Sequence, residues 1–251
     1  MQIAKQPVAL ISGGTSGIGL ATANILLKKG WRVMIAGRNA RRGCDALGQL
    51  GVPTDTAQYI GCDVTDDASC AHAVTATIEA FGSLHGLVTS AGIYEEQLLE
   101  ETTPDDVEKL FAVNVYGTIS LCRYALPHLK RTQGSIVTVS SDAGLQGNVA
   151  CSLYGATKGA VVAFSKSLAL EAAPHNVRVN CVCPGDVETP MLDAQLAAHP
   201  DTNRDEMKEQ YPLYRLATAA EVGEAIAFLL SPAASFITAT ALPVDGGLTS
   251  W

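Results

Sequence analysis

Charge is scarce in this chain of 251 residues: 17% are Asp, Glu, Lys or Arg, and acidic residues outnumber basic ones 25 to 17. A net charge of −8 argues against nucleic acid or an anionic membrane as partner, since both are bound through lysine and arginine. Long apolar runs are missing as well. No stretch approaches the roughly 20 residues that a membrane-spanning helix needs, so no membrane association is expected. The early apolar segment Pro7–Ile11 runs into glycines rather than a cleavage site, and the expected location is cytoplasmic. Seven cysteines, at 44, 62, 70, 122, 151, 181 and 183, form no CxxC, and the five histidines form no HExxH. No metal is expected. Cys181 and Cys183 would share one face of a strand, where buried free thiols are the simplest reading.

What the chain does have is a 47% hydrophobic content and 23 glycines, arranged as short β-rich runs alternating with longer helical stretches. The strand candidates are Val8–Ser12, Trp31–Ala36, Gln58–Cys62, Leu84–Thr89, Ser135–Ser140, Val177–Cys183 and Ala241–Val244. Helical patterns fall at Ile18–Lys29, Ala68–Phe81, Asp105–Leu126, Leu153–Ala173 and Ala220–Leu230. Several strands are apolar along their whole length, as a parallel sheet covered on both faces requires. The expectation is one α/β domain over 1–251, a doubly wound parallel sheet of about seven strands in a three-layer α/β/α arrangement. The segment Asp186–Leu216 departs from the alternation. It has no good strand and reads either as a surface excursion or as a lid over a pocket.

The chemistry gathers where strands end. Ser12-Gly13-Gly14-Thr15-Ser16-Gly17-Ile18-Gly19 joins the first strand to a helix. Its glycines allow a tight turn that brings backbone N–H groups to a pyrophosphate at the helix N-terminus. Asp63, followed by Val64, ends the third strand and is placed either to read an adenine amino group or to cap a helix. Asn114 falls inside a long helical pattern, an odd site for a residue that favours caps. Ser141 follows the fifth strand, and Tyr154 and Lys158 come 13 and 17 residues later. A tyrosine titrates near pH 10, so it works as an acid–base group at neutrality only with help. A lysine four residues on shares its helix face and can give that help. The sixth strand runs out into Pro184-Gly185-Asp186-Val187-Glu188-Thr189-Pro190.

The glycine loop, Ser141 with Gly144, the YGATK run at 154–158 and the Pro184-Gly185 pair together resemble the short-chain dehydrogenase/reductase family, over essentially the whole chain. The resemblance implies a Rossmann-type fold and hydride transfer between a nicotinamide and a secondary alcohol or ketone. It implies that Tyr154 is the acid/base, Lys158 lowers its pKa, Ser141 binds the substrate oxygen and Asn114 supports a proton relay. The cofactor would be held by Ser12, Gly13, Thr15, Ser16, Gly17, Ile18 and Gly19, by Asp63 and Val64, by Ser90, Ala91 and Gly92, by Asn114, Tyr154 and Lys158, and by Pro184, Gly185, Val187 and Thr189. Two departures stand out. Thr89-Ser90-Ala91-Gly92 replaces the family's Asn-Asn-Ala-Gly, and Ala239 stands where glycine is usual. A non-catalytic sensor of the same fold is the competing reading.

The second strand ends Ile35-Ala36-Gly37-Arg38-Asn39, without the carboxylate that selects an unphosphorylated ribose about 20 residues after a glycine loop. Arg38 can fork onto a 2′-phosphate. NADP(H) is therefore favoured, with NAD(H) possible. Pocket candidates are Ile93, Tyr94, Ser141, Asp142, Gln146, Asn148, Cys151, Tyr154, Asp186, Met191 and Leu192. This mixed set suits a polyol, sugar acid or oxo-acid derivative, with a 3-oxoacyl thioester or a steroid as the alternative. The helices around Asn114 and Tyr154 resemble the family's dimer-forming pair, and the expected assembly is a homotetramer.

Overall fold

A computed structural model describes residues 6–251. Seven strands form one parallel sheet: β1 (Val8–Ser12), β2 (Arg32–Gly37), β3 (Ala57–Gly61), β4 (Gly86–Thr89), β5 (Ser135–Val139), β6 (Arg178–Pro184) and, after two short strands, a last one at Ala241–Val244. The short pair is β7 (Val187–Glu188) and β8 (Ala217–Thr218), which bond to each other in parallel, so the last strand is β9. The order across the sheet is β3-β2-β1-β4-β5-β6-β9. It reverses direction between β1 and β4, and a crevice opens at such a switch point outside the carboxyl ends of the strands.

Alternation along each strand divides the core in two. Leu10, Met34, Leu87, Ile136 and Val179 point to one face, and Ile11, Val33, Val88, Val137 and Val182 to the other. The first face is covered by α3 (Asp67–Phe81), α5 (Gly117–Thr132) and α6 (Ser152–Ala172), the second by α1 (Gly17–Lys28), α2 (Ala40–Leu50) and α9 (Ala219–Leu230). Each fully buried Leu or Ile contributes about 1.5–3 kcal/mol relative to exposure, so both faces hold the sheet flat against its helices. Among the described residues no helix is long and apolar enough to cross a membrane.

Three expectations change. The helix α2 is absent from the sequence-based assignment, because Gly43 and Gly48 weaken its pattern. Gly43 is required there, since a Cβ would lie 2.4 Å from the Tyr59 ring. The stretch read as one helix over Asp105–Leu126 is three pieces: α4 (Pro104–Phe111), a π-helical turn at Ala112–Tyr116 and then α5. Segment 186–216 contains β7, α7 (Pro190–Ala198) and α8 (Arg204–Glu209), and buries its own small cluster of Leu192, Met207, Tyr211 and Leu216.

Candidate active site

The crevice at the switch point is a groove of about 610 Å³ running from the glycine loop to Arg38 and Arg42. Its floor admits no side chains. Gly13 has φ +66°, and a Cβ on it would meet Ala91 N at 2.7 Å; Gly19 would meet the Gly13 carbonyl at 2.3 Å. The N-cap of α1, Ser16, makes no side-chain cap hydrogen bond, so the first N–H groups of that helix face the groove for an anion. Ser12 Oγ accepts from Ala91 N at 3.3 Å and ties the loop to the end of β4. At the far end Asn39 caps α2, accepting from Arg42 N at 3.0 Å. This cradle fits a dinucleotide, with both arginines beyond its ribose end.

Of the expected cofactor residues, Ser12, Gly13, Thr15, Ser16, Gly17, Ile18, Arg38, Asp63, Val64, Ser90, Ala91, Gly92 and Thr189 line this groove. Gly19 packs behind the loop instead. Asp63 is not the helix cap: Asp66 caps α3, while Asp63 accepts from Thr65 N at 3.0 Å and Thr65 Oγ at 2.8 Å. Those bonds, led by the backbone one, hold its carboxyl below the usual range. Thr89 Oγ, one of the departures from the family pattern, is buried without a partner.

A second cavity of about 220 Å³ adjoins the groove. Ile18, Ser90, Gly92, Thr189 and Met191 line both spaces, so a molecule in the groove would form one wall of the cavity. Lys158 reaches this seam, its Nζ close to Gly92 of the shared wall, and Ser141 and Tyr154 line the cavity together with Pro184, Gly185 and Val187. Tyr154 and Lys158 lie on consecutive turns of α6, with Lys158 Nζ 5.6 Å from the Tyr154 ring centroid. Lys158 Nζ donates to the Val139 carbonyl at 3.2 Å. The Tyr94 ring meets that of Tyr154 edge-on at 4.8 Å, fixing its plane.

Asn114 sits in the π turn, 1% exposed. Its side chain accepts from Ile93 N at 2.9 Å and donates to the Ile93 carbonyl at 3.0 Å and to Thr157 Oγ at 3.1 Å. It thereby joins the β4 loop to α6 one residue before Lys158. A Cβ on Gly92 would lie 3.3 Å from Asn114 Oδ1 and 3.5 Å from Lys158 Nζ, so the asparagine and the lysine both approach this one glycine.

Burial dominates the electrostatics. Lys158 is pushed down to about 8 by loss of water. Tyr154 is pushed up by burial and further by Asp142, Cys151 and Asp186, with only Ser141 pulling down. The expected lowering by Lys158 is therefore not what the protein's own groups achieve. They keep the phenol protonated, in the form that donates. Ser141 Oγ donates to Asp142 Oδ1 at 2.7 Å and accepts from Ala143 N at 3.2 Å, so its proton must turn from Asp142 to reach a substrate.

Tyr94, Asp142, Gln146, Asn148, Asp186, Met191 and Leu192 line the cavity as expected. Two candidates do not. Ile93 lines the cofactor groove, because its backbone is held by Asn114. Cys151 lies behind Tyr94, its Sγ 3.3 Å from the phenol oxygen. Gln195, Gln210 and Leu248 line the cavity and escaped the sequence reading; they come from α7, the turn after α8 and the C-terminal segment, with no motif to mark them.

Residues 13–249 match the family model described as enoyl-(acyl carrier protein) reductase. The chain is 38% identical over 244 residues to the L-fucose dehydrogenase of Oryctolagus cuniculus, covering 96% of this chain and 84% of that one. The chain belongs to the short-chain dehydrogenase/reductase family. It is an NAD(P)-dependent oxidoreductase acting on alcohols and ketones. Among solved relatives, a variant of the actinorhodin polyketide ketoreductase with NADPH superposes with a TM-score of 0.93 at 34% identity, covering 100% of both chains. The 3-ketoacyl-(acyl-carrier-protein) reductase of Brucella melitensis complexed with NADH gives 0.89 at 32%, covering 98% of this chain and 100% of that one.

Proposed function

We propose that this chain is an NADP(H)-preferring enzyme that interconverts a secondary alcohol and a ketone, with Tyr154 as the acid/base. The observation that carries this reading is the shared wall between groove and cavity, with Tyr154 and Ser141 lining the cavity and Lys158 close to Gly92 of that wall. The nicotinamide, when bound, supplies or accepts the hydride. The chain does the rest. Tyr154, held protonated, gives its proton to the carbonyl oxygen of a ketone, and Ser141 donates a second hydrogen bond to that oxygen and stabilises its developing charge. Lys158, at about 8, is charged at neutral pH and returns positive potential to the phenolate that forms. Asn114 fixes the π turn and the position of Lys158, and Val187 and Thr189 are placed to orient the carboxamide.

Arg38 and Arg42, with no carboxylate at the end of β2, support the preference for a 2′-phosphate. Segment 186–216 serves as the substrate lid, since Met191, Leu192, Gln195 and Gln210 reach the cavity from it. Val107, Tyr116 and Leu170 are exposed on α4, the π turn and α6, and support a homotetramer built on those helices, with Phe236 and Trp251 as further exposed aromatics. Free thiols at all seven cysteines suit a cytoplasmic location. NADPH consumption with a panel of ketones tests the enzyme reading: turnover is expected, and binding of NADPH without turnover of any carbonyl compound would leave a sensor. Light scattering tests the assembly, where a monomer at micromolar concentration would remove the tetramer.

A further inference from the structure

Two carboxylates and one cation line the cavity beside Tyr154 among the described residues, and a third carboxylate stands behind its rim. Asp142 is 7% exposed and collects neutral donors: Ser141 Oγ at 2.7 Å, Asn148 Nδ2 at 2.9 Å and Gln146 Nε2 at 3.4 Å. Asp186 lies across from it, where Tyr211 donates to Oδ2 at 2.7 Å and accepts from the Asp186 N–H at 2.6 Å. Glu96 stands behind the rim, its Oε2 accepting from Tyr94 Oη at 2.9 Å and from Gln195 Nε2 at 3.4 Å. Among the described residues the only cation lining the cavity is Lys158, and it sits at the reacting end. Among the described residues, the second oxygens of Asp186 and Glu96 accept no side-chain hydrogen bond.

We infer that this cavity selects an uncharged polyhydroxylated carbonyl compound or its alcohol, of sugar or polyol size, and rejects substrates bearing a carboxylate, sulfonate or phosphate near the reacting carbon. The inference rests on the dehydrogenase reading for its chemistry, and on the charge and pairing of the cavity walls for its selection. A carboxylate brought beside Asp142 and Asp186 meets like charge in a site with little water to screen it, and such juxtaposition discriminates strongly. It also brings no proton to satisfy the open oxygen of Asp186, which lines the cavity. Hydroxyls do both jobs: each carries a donor for a carboxylate and an acceptor for the amides of Gln146, Asn148 and Gln195. Every wall carboxylate is already partnered by neutral hydroxyl, amide or backbone donors, and a polyol extends that pattern where an ammonium would replace it.

Size points the same way, since about 220 Å³ is below the roughly 300–1,000 Å³ of pockets that enclose drug-sized ligands. The carboxyl of Asp186 is raised above its usual range by burial, with Asp142 and Glu96 adding to it against Tyr211. The three groups therefore act on one another across a single space, and a further anion would join that repulsion.

Binding and turnover separate the two claims. Ligand-observed NMR on the NADPH-loaded Tyr154→Phe protein compares a ketohexose with the ketohexonate in which a terminal carboxylate replaces the hydroxymethyl. The ketohexose is expected to bind at least ~10-fold tighter, and the ratio to narrow several-fold in Asp186→Asn and in Glu96→Gln. The second variant changes a partly exposed side chain and reads the effect should the first fail to fold. Equal or tighter binding of the ketohexonate overturns the inference while leaving the enzyme intact. So does tenfold preference for an amino-substituted ketohexose, which would mark a cation site. Selective binding with no NADPH turnover in the wild type keeps the selection and removes the dehydrogenase reading.

Discussion

The cofactor groove and the substrate cavity share a wall and are built in opposite ways. The groove is made of backbone and absent side chains. Gly13, Gly17, Gly37 and Gly92 line it, and the charged side chains that line it among the described residues are Arg38, Arg42 and Asp63. The cavity is made of side chains with carboxylates and amides, contributed by segments far apart in sequence. Backbone recognises what every member of such a family must hold, a diphosphate and two rings. Side chains recognise what differs. The contrast predicts that substitutions on one side of the seam leave the other side's ligand untouched.

The largest effect should fall on the seam itself. Tyr154→Phe removes one proton and keeps the ring packed on Tyr94, so turnover should drop at least ~10³-fold with NADPH affinity retained. Steady-state rates beside cofactor titration check both halves, and a variant keeping a tenth of wild-type activity would remove Tyr154 from its role. Lys158 gives a pH signature in the cofactor-free protein. Its folded pKa, about 8, lies below the value of 10.5 for a free lysine in water, so between those values the unfolded chain binds more protons. Stability should rise with pH across that window by about 3 kcal/mol from this group, at most ~1.4 kcal/mol per pH unit. Denaturant midpoints should show the rise in the wild type and lose it in Lys158→Met.

Groove substitutions should touch the cofactor alone. In Gly19→Ala a methyl 2.3 Å from the Gly13 carbonyl forces the loop away, and NADPH affinity should fall about 100-fold, near the upper end of overpacking costs, with substrate KM little changed at saturating cofactor. Arg38→Ala should cost NADPH about 1.5–3 kcal/mol in kcat/KM, roughly tenfold or more, and leave NADH nearly unchanged. A wild type that prefers NADH would reverse the assignment. The smallest effect lies outside both sites. Ala239 has φ +61°, a left-handed backbone that costs an L-residue about 1 kcal/mol, so Ala239→Gly should raise Tm by about 2–4 °C without altering either ligand.

What was legible in the sequence follows the same division. Val8–Ser12 and Ala241–Val244 have the expected bounds, and the other strands of the sheet lie within two residues of theirs, because buried parallel strands announce themselves as unbroken apolar runs. The glycine loop and the Ser141–Tyr154–Lys158 spacing are local patterns, and the structure places the first along the groove and the second along the cavity that adjoins it. The π turn at Asn114 was not legible, since one extra residue in a turn leaves the apolar period almost unchanged. Gln195, Gln210 and Glu96 were not legible either. They are ordinary surface residue types, and only the packing of Leu192, Met207 and Tyr211 turns two of them inward. The alanine at 239 was visible as a departure, and its positive φ explains why glycine is the usual occupant.

Of the seven cysteines, six are buried and Cys44 alone is exposed. It lies on α2, the helix that carries Arg42, two residues further on and so turned away from that side chain. A thiol-reactive fluorophore would label the native protein at that one address, without mutagenesis. The dye would sit on the same helix as Arg42, so its emission would report a change in that helix when a 2′-phosphate arrives. NADP(H) and NAD(H) could then be told apart by colour in a protein that has never been given a substrate.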